Sequence, residues 1–127
     1  MAATIKQFFK ENRKARKNEF FAASKQFTDD KGEALLWELR PLSRKKVEHI
    51  RTTSKNDSQF GLMLVTSSVV DPDLNNADLQ DSYGVKKAED LIDELLTPAE
   101  YYALLGKVLR MNELDKGLAE LSEEAKN

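Results

Sequence analysis

Cysteine is absent from the 127-residue chain, which excludes disulfides, thiolate metal centres, iron–sulfur clusters and thiol nucleophiles. Histidine occurs once, at His49, so no site needing two imidazoles can form. Glycine is sparse and scattered. Gly32, Gly61, Gly84, Gly106 and Gly117 lie eleven or more residues apart, whereas a loop that cradles phosphate needs clustered glycines so that successive N–H groups converge. There is no long hydrophobic run either. The longest strongly apolar stretch, near Phe60 to Val65, is far short of the ~20 residues of a membrane-spanning helix. The N-terminal lysines are not followed by the apolar core of a signal peptide. These absences argue against most small-enzyme chemistries and against a bound cofactor or metal, and they lead us to expect a soluble cytoplasmic protein.

What is present suits one compact domain. The chain weighs 14.4 kDa, with 40% hydrophobic and 33% charged residues, a charge-rich globular composition rather than a disordered one. Its net charge of −2 conceals a division. Met1 to Lys55 carries 14 Lys and Arg against 7 Asp and Glu, net +7, and Asn56 to Asn127 carries 6 against 15, net −9. Either the two halves attract each other within the fold or the surface has two poles for charged partners.

The pattern along the chain predicts an α+β fold, an N-terminal β-hairpin region followed by a mostly α-helical C-terminal half. Thr4 to Phe9 reads as a short amphipathic helix start with a Thr4/Gln7 capping box. Asn18 to Phe27 and Ala34 to Arg40 read as two strands around the turn Thr28-Asp29-Asp30-Lys31-Gly32, where aspartate side chains can bond local backbone and Gly32 accepts positive φ. Ser43 caps a helix over Arg44 to Thr52, with Val47 and Ile50 on its apolar stripe. The apolar run Phe60 to Val70 reads as helix on its length and the flanking Asp57 and Ser58, although its valines favour strand. Asn75 to Asp81 is a polar connector with a helical turn around Leu79. Val85 to Leu96 is amphipathic at i, i+3, i+4, i+7 spacing. Thr97-Pro98-Ala99-Glu100 is the strongest local signal, with an N-cap, a proline at the first helical position and a capping box. It opens a helix to about Met111 that buries Tyr101, Leu104, Leu105 and Val108.

Single-residue chemistry is thin. His49 on a basic helix reads as structural. Asp71, Asp73, Asn75 and Asp78 resemble the start of a calcium loop, but Asn76 and Ser82 stand where the glycine and the bidentate acid belong. Asp90, Asp93 and Glu94 read as a solvated face. The basic segments Lys6 to Lys17 and Arg40 to Arg51 make a small nucleic-acid-binding or regulatory protein the alternative function. Of Phe8, Phe9, Phe20, Phe21 and Phe27, most are expected in the core, and any exposed remainder would mark a protein partner.

Three blocks resemble the XkdN-like phage tail assembly chaperones of contractile-tailed phages and defective prophages. The first ends in Lys25-Gln26-Phe27, followed after the turn by Trp37-Glu38-Leu39-Arg40. The second is Ser68-Val69-Val70-Asp71-Pro72-Asp73-Leu74 with Ala77-Asp78-Leu79-Gln80-Asp81-Ser82-Tyr83-Gly84-Val85. The third is Ala88-Glu89-Asp90-Leu91 with Leu95-Leu96-Thr97-Pro98-Ala99-Glu100-Tyr101. Leu79 to Val85 is the most specific piece. Ala99 replaces a glycine common in the family, and the segment Thr53 to Gln59 is shorter and less basic than its counterpart. The resemblance places one chaperone-like domain at 1–112 and a weakly helical or flexible tail at 113–127. It implies transient binding of the tail tape measure protein, and of tube subunits, in the host cytoplasm, with absence from the mature virion; self-association is a further expectation. An apolar groove with charged rims would serve such a role. Its candidate residues are Tyr83, Leu91, Leu95, Tyr101, Leu105 and Val108; Tyr83 reads either as an anchor that packs its loop onto the helices or as an exposed contact, and each of the others reads equally as core.

Overall fold

The computed structural model describes residues 3–115. A three-stranded antiparallel sheet in the order β1-β2-β3 combines β1 (Glu19–Phe21), β2 (Trp37–Leu39) and β3 (Val69–Asp71). The helices are α1 (Arg44–Thr53), α2 (Asp57–Ser68), α3 (Ala77–Ser82), α4 (Ala88–Leu95) and α5 (Pro98–Met111). The expected α+β class is what the chain adopts. The two expected strands are present but short. Glu19 pairs with Leu39 and Phe21 with Trp37, and beyond them the hairpin continues only as an isolated Thr28–Ala34 bridge. The turn forms as read: Asp29 Oδ1 accepts the N–H groups of Lys31 and Glu33 at 2.8 and 3.0 Å, and Gly32 has φ 82°.

The third strand corrects the sequence reading. The run Phe60 to Val70 is two elements. Gly61, Leu64, Val65 and Ser68 are buried at helical spacing along α2, and the chain then turns extended at Val69. The Ser68 carbonyl accepts the Arg40 N–H at 2.8 Å and the Ser68 hydroxyl donates to the Arg40 carbonyl at 2.9 Å, which splices the end of α2 onto β2. The cap of α2 is Asn56, not Asp57 or Ser58, with its side chain accepting the Gln59 N–H at 2.8 Å.

The core lies between one sheet face and the helices. Trp37, Leu39 and Val69 point inward and meet Ile50, Leu64, Val65, Leu91, Ile92, Leu104 and Val108. Helix α2 is central, packed against α1, α4, α5 and β3. Ser43 and the Thr97/Glu100 box cap α1 and α5 as expected, whereas α4 begins at Ala88, three residues after Val85. Tyr101 and Leu105 are half-buried rather than enclosed. The N-terminal segment forms two 3-10 turns, Ile5–Phe8 and Lys10–Asn12, instead of an α-helix. The expected tail runs from residue 116 onward outside the described residues.

Glu100 ties the halves of the chain together. Besides closing its own cap, its carboxylate accepts the Lys25 N–H at 3.0 Å and the side chains of Ser24 and Gln26 at 3.1 Å each. The Thr97 N–H is the main reason its pKa falls to about 2, and the bonds from Lys25, Ser24 and Gln26 add to the effect against an opposing desolvation. Gln26 also donates to the last carbonyl of α4, Leu95, at 3.1 Å.

A candidate partner-binding cleft

The most specific sequence block is a helix ending. Tyr83 is the C-cap of α3; the Gly84 N–H donates to Asp81 O at 3.0 Å and the Val85 N–H to Gln80 O at 3.1 Å. This is the Schellman pattern, which requires a left-handed residue just past the cap, and Gly84 supplies it at φ 70°. Val85 then packs against the core. The Asn76 side chain caps the other end, accepting the Leu79 N–H at 2.9 Å, and Gln80 Nε2 donates to the Leu74 carbonyl at 2.8 Å. Asn76, Gln80 and Gly84 thus shape the backbone at the two ends of α3, and Tyr83 packs inward against the core.

Tyr83 aims at a small apolar cleft of about 230 Å³, walled by Phe27, Trp37, Pro72, Leu79 and Leu95 with Leu35 and Leu36 at its lip. All three blocks of the resemblance contribute to this wall, although they are spread from residue 27 to residue 95. The lip is apolar and uncovered, with Leu35 45% and Leu36 61% exposed. Small-molecule sites usually occupy ~300–1,000 Å³ and carry convergent polar groups. This cleft is smaller, and among the described residues Asp71 is the sole charged one in its lining. Its chemistry suits one large apolar side chain from a protein partner.

The six candidate contact residues do not converge. Tyr83 and Leu95 belong to this cleft, Leu95 almost wholly buried. Leu91 and Val108 are fully buried core and offer no surface. Leu105 lines a wider groove of about 720 Å³ between the α1–α2 junction and α5, floored by Phe60, Leu64 and Leu109 and edged by Arg51, Lys55 and Asp57. Helices α2 and α5 approach closely at its floor: a methyl group at Gly61 would stand 3.3 Å from Leu105 Cδ2. Tyr101 lines a third depression of about 340 Å³ with Asp93, Pro98 and Tyr102.

The aromatic expectation is corrected as well. Phe21 and Phe27 pack against the core, but Phe8 is 73% exposed, Phe20 61% and Phe9 48%. Because strand side chains alternate, Phe20 lies on the sheet face opposite Trp37, which no helix covers among the described residues. Periodicity could not reveal this; the signal missed was the strongly charged sequence around these residues, which keeps their segment off the core.

Residues 5–126 match the family model of the phage XkdN-like tail assembly chaperones. The chain belongs to this family. The match extends past Asn112, where the resemblance in the sequence had ended. This tail assembly chaperone is 29% identical over 119 residues to the phage-like element PBSX protein XkdN of Bacillus subtilis strain 168, covering 82% of this chain and 80% of that protein. Its fold is that of the crystal structure of the protein YqbN, with a TM-score of 0.79 at 18% identity over 91% of this chain and 100% of the other. Among the described residues, no helix of the chaperone is long and apolar enough to cross a membrane.

Proposed function

We propose that this chaperone binds the tail tape measure protein transiently during tail assembly, in the host cytoplasm, and leaves before the virion is complete, without catalysing a reaction. The observation that carries the reading is the apolar cleft with its uncovered Leu35–Leu36 lip, built from the residues that carry the family resemblance. A tape measure protein is long and helical, and its apolar stripes face water until the tube closes around it. A holdase for such a chain needs a pocket for an apolar anchor and a modest interface that releases. Tube subunits are second clients of the same lip.

The test is co-expression with the tape measure protein. Leu36→Ser removes an exposed side chain, so stability stays within about 0.5 kcal/mol, while capture of the tape measure protein falls at least tenfold. The single tryptophan, Trp37, lies in the cleft wall, and its emission shifts when the purified partner binds. Wild-type capture by the variant, or the chaperone as a stoichiometric component of purified tails, refutes the proposal.

A further inference from the structure

A second surface lies apart from the cleft, at the N-terminal arm. Residues 3–18 are exposed throughout, yet the arm has internal order. The Thr4 N–H donates to Gln7 Oε1 at 2.8 Å and Asn12 Nδ2 to the Lys6 carbonyl at 2.7 Å, which folds the two 3-10 turns into a knuckle. Its base is fastened by Arg16, whose guanidinium donates to the Leu42 carbonyl at 2.7 Å, while the N–H of Leu42 donates to Asn112 at 2.7 Å. The knuckle therefore holds Ile5, Phe8 and Phe9 away from the body. Six Lys and Arg stand against one Glu between Thr4 and Lys17. An ordered, exposed apolar knob on so basic a segment is the kind of surface that marks an interaction site.

The chain carries the complement of this knob in its acidic half. The 340 Å³ depression between α2 and the α4–α5 corner is walled by Leu62, Leu96, Pro98, Tyr101 and Tyr102 and edged by Asp93. The two tyrosine rings meet edge to face, 5.4 Å apart at 67°, and Tyr102 is 68% exposed. Asp90 and Glu94 are exposed on α4 beside Asp93. Burial, then the charges of Asp90 and Glu94, hold the Asp93 carboxyl above its ordinary value; the three neighbouring carboxylates make this edge of the depression negative, where a nearby cation would be favourable.

We propose that the arm of one copy seats Phe8 and Phe9 in the Tyr101–Tyr102 depression of a second copy, with Lys6 and Lys10 against Asp90, Asp93 and Glu94. The +7 and −9 halves make the chain complementary to itself in this sense. The contact is head to tail, so a pair of copies keeps one free arm and one free depression and assembly proceeds until a ring closes. An arm this short buries less than the ~1,200 Å² of a stable interface, so association is weak and salt-sensitive. It is independent of the tape measure reading, since no residue of the Leu35–Leu36 cleft takes part.

The lack of cysteine makes the test clean. Two full-length chains are prepared separately, one Phe8→Cys and the other Tyr102→Cys, both at exposed positions, then mixed at ~100 µM in low salt and oxidised. The expected result is a cross-linked species of twice 14.4 kDa in the mixture, at least fivefold above either chain alone and lost in 0.5 M salt. In light scattering, the wild-type mass rises with concentration, Asp93→Lys or paired Lys6→Glu/Lys10→Glu returns it to the monomer, and combining both sets of changes restores it. A wild-type monomer at ~300 µM, cross-links only between like cysteines, or a monomeric protein whose arm instead binds anionic vesicles or nucleic acid overturns the proposal.

Discussion

Replacing Tyr83 by alanine separates a packed anchor from a free contact. An enclosed tyrosine buries ~150–250 Å². Tyr83 is half-buried against the core, so roughly 100 Å² of ring is withdrawn from water, which at ~25 cal/mol per Å² amounts to about 2.5 kcal/mol. For a domain of this length each kcal/mol shifts the melting temperature by ~3–4 °C, and Tyr83→Ala should melt roughly 8–10 °C below wild type. Among the described residues the Tyr83 hydroxyl makes no hydrogen bond, so Tyr83→Phe should melt within ~2 °C of wild type, a surface-like change. Scanning calorimetry of the two variants at one concentration decides the matter. A fall of less than ~2 °C for Tyr83→Ala would mean that the ring does not pack where the Schellman turn points it; loss of tape measure capture without that fall would make Tyr83 a direct contact rather than a wall of the cleft.

Gly84→Ala meets no neighbouring atom within 4 Å but must hold φ near 70°, a left-handed conformation that costs a side-chain-bearing residue ~1–2 kcal/mol; a fall of ~3–8 °C in melting temperature is expected, and an unchanged one would mean the motif does not need its glycine. The Glu100 carboxyl has a folded pKa of about 2 against an ordinary 4.5. Because the folded value is the lower one, its contribution is complete above pH 4.5 and is lost as pH falls towards 2. The urea midpoints of wild type and Glu100→Gln should therefore differ most near pH 6 and converge between pH 4.5 and 2; a pH-independent gap would refute the hydrogen-bonded carboxylate.

The features legible in the sequence are those written over a few consecutive residues. Ser43, the Thr97-Pro98-Ala99-Glu100 box and the Asp29–Gly32 turn form as read because their bonds close within three or four positions. The break at Ser68 was not legible: an unbroken apolar run satisfies helix up to Ser68 and strand from Val69, and the splice to Arg40 lies 28 residues away. The apolar stripes that carry Leu91 and Leu95 on α4 and Val108 on α5 have the same periodicity whether they face a core or a partner, and only their packing against α2 puts Leu91 and Val108 in the core. The Tyr83 block was recognisable as a motif, but its physical content, a left-handed cap turning an aromatic ring into a cleft, appears only with Phe27, Trp37 and Pro72 around it. Glu100 was readable as a cap, whereas its bonds to residues 24–26 are invisible locally.

The placement of β2 between two strands has a consequence for synthesis. The central strand has one neighbour before it and the other at Val69–Asp71, so a nascent chain that has just released Trp37 and Leu39 holds an unfinished ribbon. Its open edge waits about thirty residues of translation for a mate, and the Glu100 clasp arrives later still. The chain thus passes through its own interval of exposure, and conditions that slow elongation between α1 and β3 should deplete the soluble product before they affect the finished fold.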